Sequence, residues 1–96
     1  MTKEHALSLI SAELDRACRK FPTWQTDGIQ AAAVVVEEAG ELLKECNQMT
    51  FEPHKSSIDA VRDEAVQTGA MALRFLLSLD KYEFTPRDWH FQGEGQ

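Results

Sequence analysis

The segment Val34–Glu45 constrains the fold most, because it places acidic side chains within an apolar helical pattern. At roughly 100° per residue, Glu38, Glu41 and Glu45 lie within about 60° of one another around a helix axis. This arc borders an apolar stripe, although a solvent-facing helix normally carries its acids opposite the apolar face. Because an unpaired buried carboxylate is costly, we expect a cation, a basic side chain or protonation to compensate these acids.

A second pair of oxygen-bearing side chains follows on the next predicted helix. Glu64 and Gln67 are three residues apart, as Glu38 and Glu41 are on theirs. Two antiparallel helices can bring the pairs face to face, so that three or four oxygen donors meet inside a bundle. Such an all-oxygen site suits Mg²⁺ or Mn²⁺ rather than zinc or copper. A di-iron site is disfavoured because the sequence lacks the Glu-x-x-His pattern that it needs.

Hydrophobic periodicity predicts three helices, over residues 3–20, 28–47 and 57–79, followed by a tail over residues 80–96. Thr2 and Asp27 are suitable N-caps for the first two helices, and Pro53 lies in the loop after the second. The third helix is apolar on two roughly opposite sides, which three short helices cannot readily enclose. We therefore expect an all-α antiparallel bundle of three helices in one domain, residues 1–96, completed by oligomerisation as a homodimer or homotetramer.

Two further features each have more than one interpretation. Gly40 lies in the middle of the second predicted helix, where it either permits close helix packing or leaves backbone room beside the acids. The tail carries an aromatic cluster, of which Trp89 and Phe91 either pin the tail to the bundle or, in an oligomer, cover the site of a partner subunit. Its members are Tyr82, Phe84, Trp89 and Phe91.

Composition restricts the partners and the compartment. The net charge is −6, with 16 acidic against 10 basic residues, which disfavours a nucleic acid polymer because such binding depends on neutralising phosphates. A small phosphorylated ligand remains possible if a divalent cation supplies positive charge. Cys18 and Cys46 form no CxxC pattern, and neither a signal pattern nor an 18-residue apolar run is present. We therefore expect a reduced, cytoplasmic protein without a membrane partner.

The acidic motifs resemble those of a known superfamily. Residues 37–41 read EExxE and residues 64–67 read ExxQ; the order and helical placement are similar to the MazG-like all-α nucleotide pyrophosphohydrolases, whose motifs are EExxE and then ExxD. The resemblance covers roughly residues 5–80. It implies Mg²⁺-dependent hydrolysis of nucleoside triphosphates to nucleoside monophosphate and pyrophosphate.

The resemblance also implies roles for individual residues. Glu38, Glu41 and Glu64 would ligate the metal, with Gln67 in the fourth position, and Glu37 would act with Glu38 in catalysis by supporting the cluster or positioning a water. Gln67 departs from the family, because an Asp is expected there. A glutamine carbonyl can ligate Mg²⁺ but has no charge, so we expect weaker metal binding. The alternative is a non-catalytic helical dimerisation module of the same fold, which Gln67 favours.

Three side chains are candidates for substrate binding, and two roles are open for each. Lys20, with Arg16 and Arg19, ends the first predicted helix and either reaches a phosphate or faces solvent. Trp24 either stacks on a nucleobase or packs in the core or within its loop. Arg74 lies seven residues after Gln67, on the same side of the third predicted helix, and either contacts phosphate or pairs with an acid.

Overall fold

The computed structural model describes residues 1–84 and contains three α-helices within that range, as the sequence predicted. The helices are α1 (Lys3–Lys20), α2 (Gly28–Phe51) and α3 (Ile58–Leu77). Short 3₁₀ turns follow the last two helices, at Pro53–Lys55 and Leu79–Lys81. No helix within residues 1–84 has the length and apolar character needed to cross a membrane.

Side-chain caps begin the helices. The hydroxyl of Thr2 accepts a hydrogen bond from the backbone nitrogen of His5, and the carboxylate of Asp27 accepts one from Ile29. Ser57 caps α3 in the same manner. Each cap satisfies a backbone N–H group that has no partner inside its helix. The starts of the helices are therefore determined locally.

The second helix is longer than predicted. It extends to Phe51, whereas the sequence pattern predicted an end at residue 47. Residues 48–51 contain neither glycine nor proline, so nothing local interrupts the helix there. It ends at Glu52, because Pro53 disfavours the helical conformation of the residue before it.

The third helix is the central element of the fold. Both α1 and α2 pack against α3, but within residues 1–84 no Cα atom of α1 lies within 8 Å of one in α2. The buried cluster where the elements join consists of Ala17, Ala70 and Met71. Partly buried side chains surround it: Ile10, Leu14, Trp24, Val34 and Val35. Because α1 and α2 stay apart, a cleft remains between them.

The core is small for a chain of this length. Within residues 1–84 no large side chain is fully buried, and the buried apolar residues are Ala17, Ala31, Ala70, Met71 and Tyr82. Several large apolar side chains of α2 and α3 are instead exposed. A Cβ atom at Gly40 would meet nothing within 4 Å in the described residues. The described residues therefore leave open space beside Gly40 rather than a close helix contact.

Tyr82 anchors the end of the described chain. Its hydroxyl accepts a hydrogen bond from Nε1 of Trp24 at 2.7 Å and donates one to the carbonyl oxygen of Phe75 at 3.2 Å. The Tyr82 side chain is buried, and its ring lies 4.8 Å from that of Phe75. Trp89 and Phe91, predicted to pin the tail, lie outside the described residues.

Candidate functional site

A cleft of about 460 Å³ lies between α1 and α2, and residues of α3 form its floor. This volume falls in the range of small-molecule sites. Five of the residues predicted from the sequence line it: Glu37, Glu38, Gln67, Trp24 and Arg74. The fold therefore brings together side chains from α2, α3 and the loop after α1.

An acidic cluster lies beside this cleft, and we define it as Glu38, Glu41, Glu45 and Glu64. Burial raises the pKa of Glu64 above its ordinary value, and the charges of Glu38, Glu41, Glu45 and Asp63 raise it further. The Oε2 atom of Glu64 is buried and has no hydrogen-bond partner among the described residues. A buried carboxylate oxygen without a donor is costly. This oxygen therefore needs either a proton or a cation.

Glu38 is perturbed in the same direction. Burial is the main cause of its raised pKa, followed by the negative charges of Glu37, Glu41 and Glu13. The last of these belongs to α1, and sequence reasoning did not identify it as a site residue. Its only sequence signal was a position three residues before Arg16 on one predicted helix, which is common on protein surfaces.

The acids are close but are not gathered around one point. Within residues 1–84 no group of three or more His, Cys, Asp or Glu side chains is arranged to hold a metal ion. The donor set nevertheless suits Mg²⁺, because carboxylate oxygens of Glu38 and Glu64 and the amide oxygen of Gln67 are hard ligands. The unpartnered Oε2 of Glu64 is the structural observation that fits a cation at this place.

The other members of the cluster differ in their surroundings. Glu41 is exposed and does not line the cleft. Glu45 is partly buried, and its Oε1 accepts a hydrogen bond from the hydroxyl of Ser56 at 2.6 Å. Glu45 thus holds the loop between α2 and α3. Gln67 is partly buried and lies on the cleft floor.

Arg74 binds the loop after α1. Its side chain is buried, and its Nη2 donates to the carbonyl oxygens of Phe21 at 2.8 Å and Thr23 at 3.4 Å. The guanidinium carbon also lies 4.7 Å from the centroid of the Trp24 ring. Both interactions differ from the two roles that the sequence left open, a phosphate contact and an acid pair.

The two remaining candidates have different positions. Trp24 is partly buried and hydrogen-bonded to Tyr82, yet it still lines the cleft. Lys20 is exposed, does not line the cleft, and has its Nζ 5.5 Å from the ring centroid of Phe21. Of the two, Trp24 is therefore the one within reach of a ligand in the cleft.

Arg16 is the basic side chain of the α1 wall. Its Nε donates to Oε1 of Glu13 at 2.9 Å, and both residues line the cleft. The hydrogen bond from Arg16 lowers the pKa of Glu13. The sequence gave Arg16 no priority over Lys20 and Arg19, because only the tertiary arrangement shows which of the three lies at the cleft.

The cleft combines a cation on one wall, carboxylates on the other, and an indole in the adjoining loop. That combination suits an anionic ligand with an aromatic part and an accompanying cation. No protein-family model matches the chain, and comparisons with curated proteins and with solved structures gave no match either.

Proposed function

We propose that this protein is a Mg²⁺-dependent nucleoside triphosphate pyrophosphohydrolase that releases nucleoside monophosphate and pyrophosphate, with Mn²⁺ as a possible substitute. The observation that carries the proposal is the buried, unpartnered Oε2 of Glu64, among the acids of α2 and beside a ligand-sized cleft. The EExxE and ExxQ motifs supply the reaction class by their resemblance to the MazG-like enzymes.

The acidic residues divide the work in this proposal. Glu38, Glu41 and Glu64, together with the carbonyl of Gln67, would hold the ion, which would supply positive charge next to the phosphate groups. Glu37 is exposed on the cleft wall, which supports a role in orienting a water and accepting its proton. The raised pKa of Glu38 is consistent with a side chain that needs a cation to remain charged.

The loop after α1 contributes the part of the site that would contact the nucleobase. We assign Trp24 as the surface against which a nucleobase packs, since it lines the cleft. Arg74 is a positioning residue that holds this indole rather than a phosphate contact. Lys20 attracts the anionic substrate from the rim. The exposed thiols of Cys18 and Cys46 are consistent with a reducing, cytoplasmic setting.

Pyrophosphate release tests this function. Wild type, Glu38→Ala and Glu64→Ala are assayed with a panel of NTPs and dNTPs in Mg²⁺ or Mn²⁺, with Glu52→Ala as the control. Glu52 is an exposed acid with a surface ion pair to Lys55. We expect turnover of at least one nucleotide, a loss of about tenfold or more in the two ligand variants, and no loss in the control. No turnover of any nucleotide, or equal turnover in all variants, contradicts the proposal.

A second candidate, a non-catalytic dimerisation module, is favoured by one apolar surface. We call this surface the outer face. On α2 it contains Ile29, Val36 and Leu43, which recur every seven residues and are 71%, 68% and 62% exposed. A seven-residue repeat keeps side chains on one side of a helix, as in helix–helix seams. These residues therefore form a stripe available to another helix.

The outer face continues onto α3. A shallow groove of about 290 Å³ joins the two helices and is lined by Ala32, Val35, Val36, Ala72 and Phe75. Beyond it, α3 carries Ile58 and Leu76, and the 3₁₀ turn that follows carries Leu79; all three side chains are exposed. Two neighbouring helices of about 20 residues present on the order of 600 Å². Two copies would then bury an area near that of a standard interface. A homodimer through this face is compatible with either function.

Light scattering after size-exclusion chromatography tests the outer face. Val36→Glu combined with Leu43→Glu is expected to convert an oligomer into a monomer. Leu7→Glu is the control, because Leu7 is 54% exposed but lies on α1. A wild type that is monomeric, or an oligomer that survives the double substitution, contradicts pairing through this face. Pairing without any nucleotide turnover favours the non-catalytic module.

A further inference from the structure

The α1 wall of the cleft carries an ion pair that the acidic cluster does not explain. Nε and Nη2 of Arg16 donate to the two carboxylate oxygens of Glu13, so the pair is bidentate. The Arg16 side chain is 51% exposed, whereas that of Glu13 is 17% exposed. The carboxylate is thus set into the wall, and the guanidinium remains accessible from solvent.

Arg16 is also the cleft cation that retains donors for a ligand. Arg74, the other basic residue that lines the described cleft, is buried and bound to the carbonyl groups of the loop. A guanidinium has five N–H donors, and the contact with Glu13 uses two of them. Its planar arrangement suits phosphate oxygens, which it can bind in pairs.

The position of the pair relates it to the acids on the opposite wall. Glu13 and Glu38 line the same cleft, and the charge of Glu13 contributes to the raised pKa of Glu38. The hydrogen bond from Arg16 stabilises the charged carboxylate and is the main reason that the pKa of Glu13 is lowered, and the positive charge of Arg16 lowers this pKa further. If an anion withdrew Arg16, Glu13 would add its charge to the electrostatic field at the cluster. A divalent cation would then be bound more favourably.

We propose that Arg16 is the polyphosphate-binding residue of the cleft and that Glu13 is its internal competitor, which holds Arg16 until a polyphosphate replaces the carboxylate. The choice of a triphosphate as ligand rests on the proposed function. The exchange makes polyphosphate and divalent cation cooperative: each enhances the binding of the other, and by linkage the effect is reciprocal. An exchange of one anion for another at Arg16 breaks no covalent bond.

Calorimetric titration with inorganic tripolyphosphate, in Mg²⁺ and separately in EDTA, tests the exchange without requiring turnover. Arg16→Ala is expected to weaken tripolyphosphate binding by about tenfold or more, because it removes the charged donors that bind the phosphate oxygens. Arg16→Lys keeps the positive charge but loses the paired donors of the planar guanidinium, so its affinity for tripolyphosphate should lie between those of wild type and Arg16→Ala. Glu13→Gln is expected to tighten binding in EDTA and to reduce the enhancement by Mg²⁺.

Arg62→Ala is the matched control, because Arg62 is 47% exposed and pairs with Asp59 three residues away, as Arg16 does with Glu13. Unchanged binding in Arg16→Ala, an equal loss in Arg62→Ala, or weaker binding in Glu13→Gln in EDTA overturns the proposal. Circular dichroism of every variant identifies misfolding. If Arg16→Ala is misfolded, the tripolyphosphate affinity of Arg16→Lys tests the proposal instead.

The two proposals fail in distinguishable ways. If no nucleotide is hydrolysed but tripolyphosphate binding depends on Arg16, only the proposed reaction is wrong. If a nucleotide is hydrolysed and Arg16→Ala leaves both KM and kcat unchanged, only the role of Arg16 is wrong. A rise in KM for the nucleotide, with a smaller change in kcat, supports Arg16 as a ground-state phosphate contact.

Discussion

The guanidinium carbon of Arg74 lies 4.7 Å from the centroid of the Trp24 ring, and Nη2 of the same side chain donates to the carbonyl oxygen of Phe21. This contact ties the end of α3 to the loop between α1 and α2. A buried charge is tolerated when hydrogen bonds and a π-face replace its hydration. Arg74 therefore stabilises the loop that presents Trp24 to the cleft.

Arg74→Met is expected to destabilise the protein by about 2–3 kcal/mol, because it removes a cation–π contact and two hydrogen bonds to carbonyl groups. Arg62→Met, at an exposed position, should change stability by less than about 0.5 kcal/mol. Urea denaturation followed by circular dichroism measures both. Equal stabilities of the two variants would show that the Arg74 contact is energetically unimportant.

Tyr82→Phe is expected to destabilise the protein by about 1–2 kcal/mol. The substitution removes the hydroxyl that accepts from Nε1 of Trp24 at 2.7 Å and leaves that donor without this partner. Thermal unfolding measures the loss, and indole fluorescence reports the new environment of Trp24. A variant with wild-type stability and an unchanged emission maximum would contradict this role of the hydrogen bond.

Glu64→Gln should stabilise the metal-free protein at neutral pH. The raised pKa of Glu64 means that the folded state binds a proton more tightly than the unfolded state. The stabilisation of the folded state by the proton on Glu64 is therefore fully present below the ordinary pKa of 4.5. It is lost as the pH rises through the raised pKa. In EDTA at pH 7 we expect a gain of about 1 kcal/mol, or roughly 4–8 °C in Tm.

The measurement is the difference in Tm between wild type and Glu64→Gln across pH 4 to 8. Using the difference cancels Glu13, whose lowered pKa acts in the opposite direction. The difference should grow with pH. A constant difference, or a variant that is less stable at pH 7, would show that the charge of Glu64 is not destabilising.

Mg²⁺ should raise the Tm of the wild type, because a ligand that binds only the folded state stabilises it by about 2.7 kcal/mol at one hundred times Kd. Gln67→Asp is expected to have a lower Tm in EDTA, since it adds a carboxylate near the cluster, and a larger rise with Mg²⁺. Glu52→Gln should respond as wild type does. If Mg²⁺ changes the Tm of neither the wild type nor Gln67→Asp, the acidic cluster does not bind the ion.

Local rules explain which parts of the fold were predictable. The caps at Thr2, Asp27 and Ser57 act within a few residues, so the sequence indicates where each helix begins. The predicted end of α2, at residue 47, is too early, because residues 48–51 contain neither glycine nor proline to interrupt the helix. The helix continues to Phe51, and only the proline that follows stops it.

The candidate site divides in the same way. Helical periodicity places Glu38 and Glu64 on mutually facing sides of α2 and α3, and their charges do lie close together. Glu13 could not be identified, because its proximity to Glu38 depends on how α1 docks on α3. Arg74 lies on the helix that the sequence predicts, but its hydrogen-bond partners belong to a loop 51 or more residues earlier in the chain. Local sequence patterns do not indicate such a contact.

The central position of α3 determines when tertiary structure can form during synthesis. Since the backbones of α1 and α2 lie close to α3 but not to each other within the described residues, a nascent chain that ends before Ile58 lacks the main packing partner of both helices. Most of the stability of a helix in a protein comes from the packing of its amphipathic face rather than from intrinsic helix propensity. We therefore expect both helices to gain most of their stability only after α3 has left the ribosome, when they can pack against it.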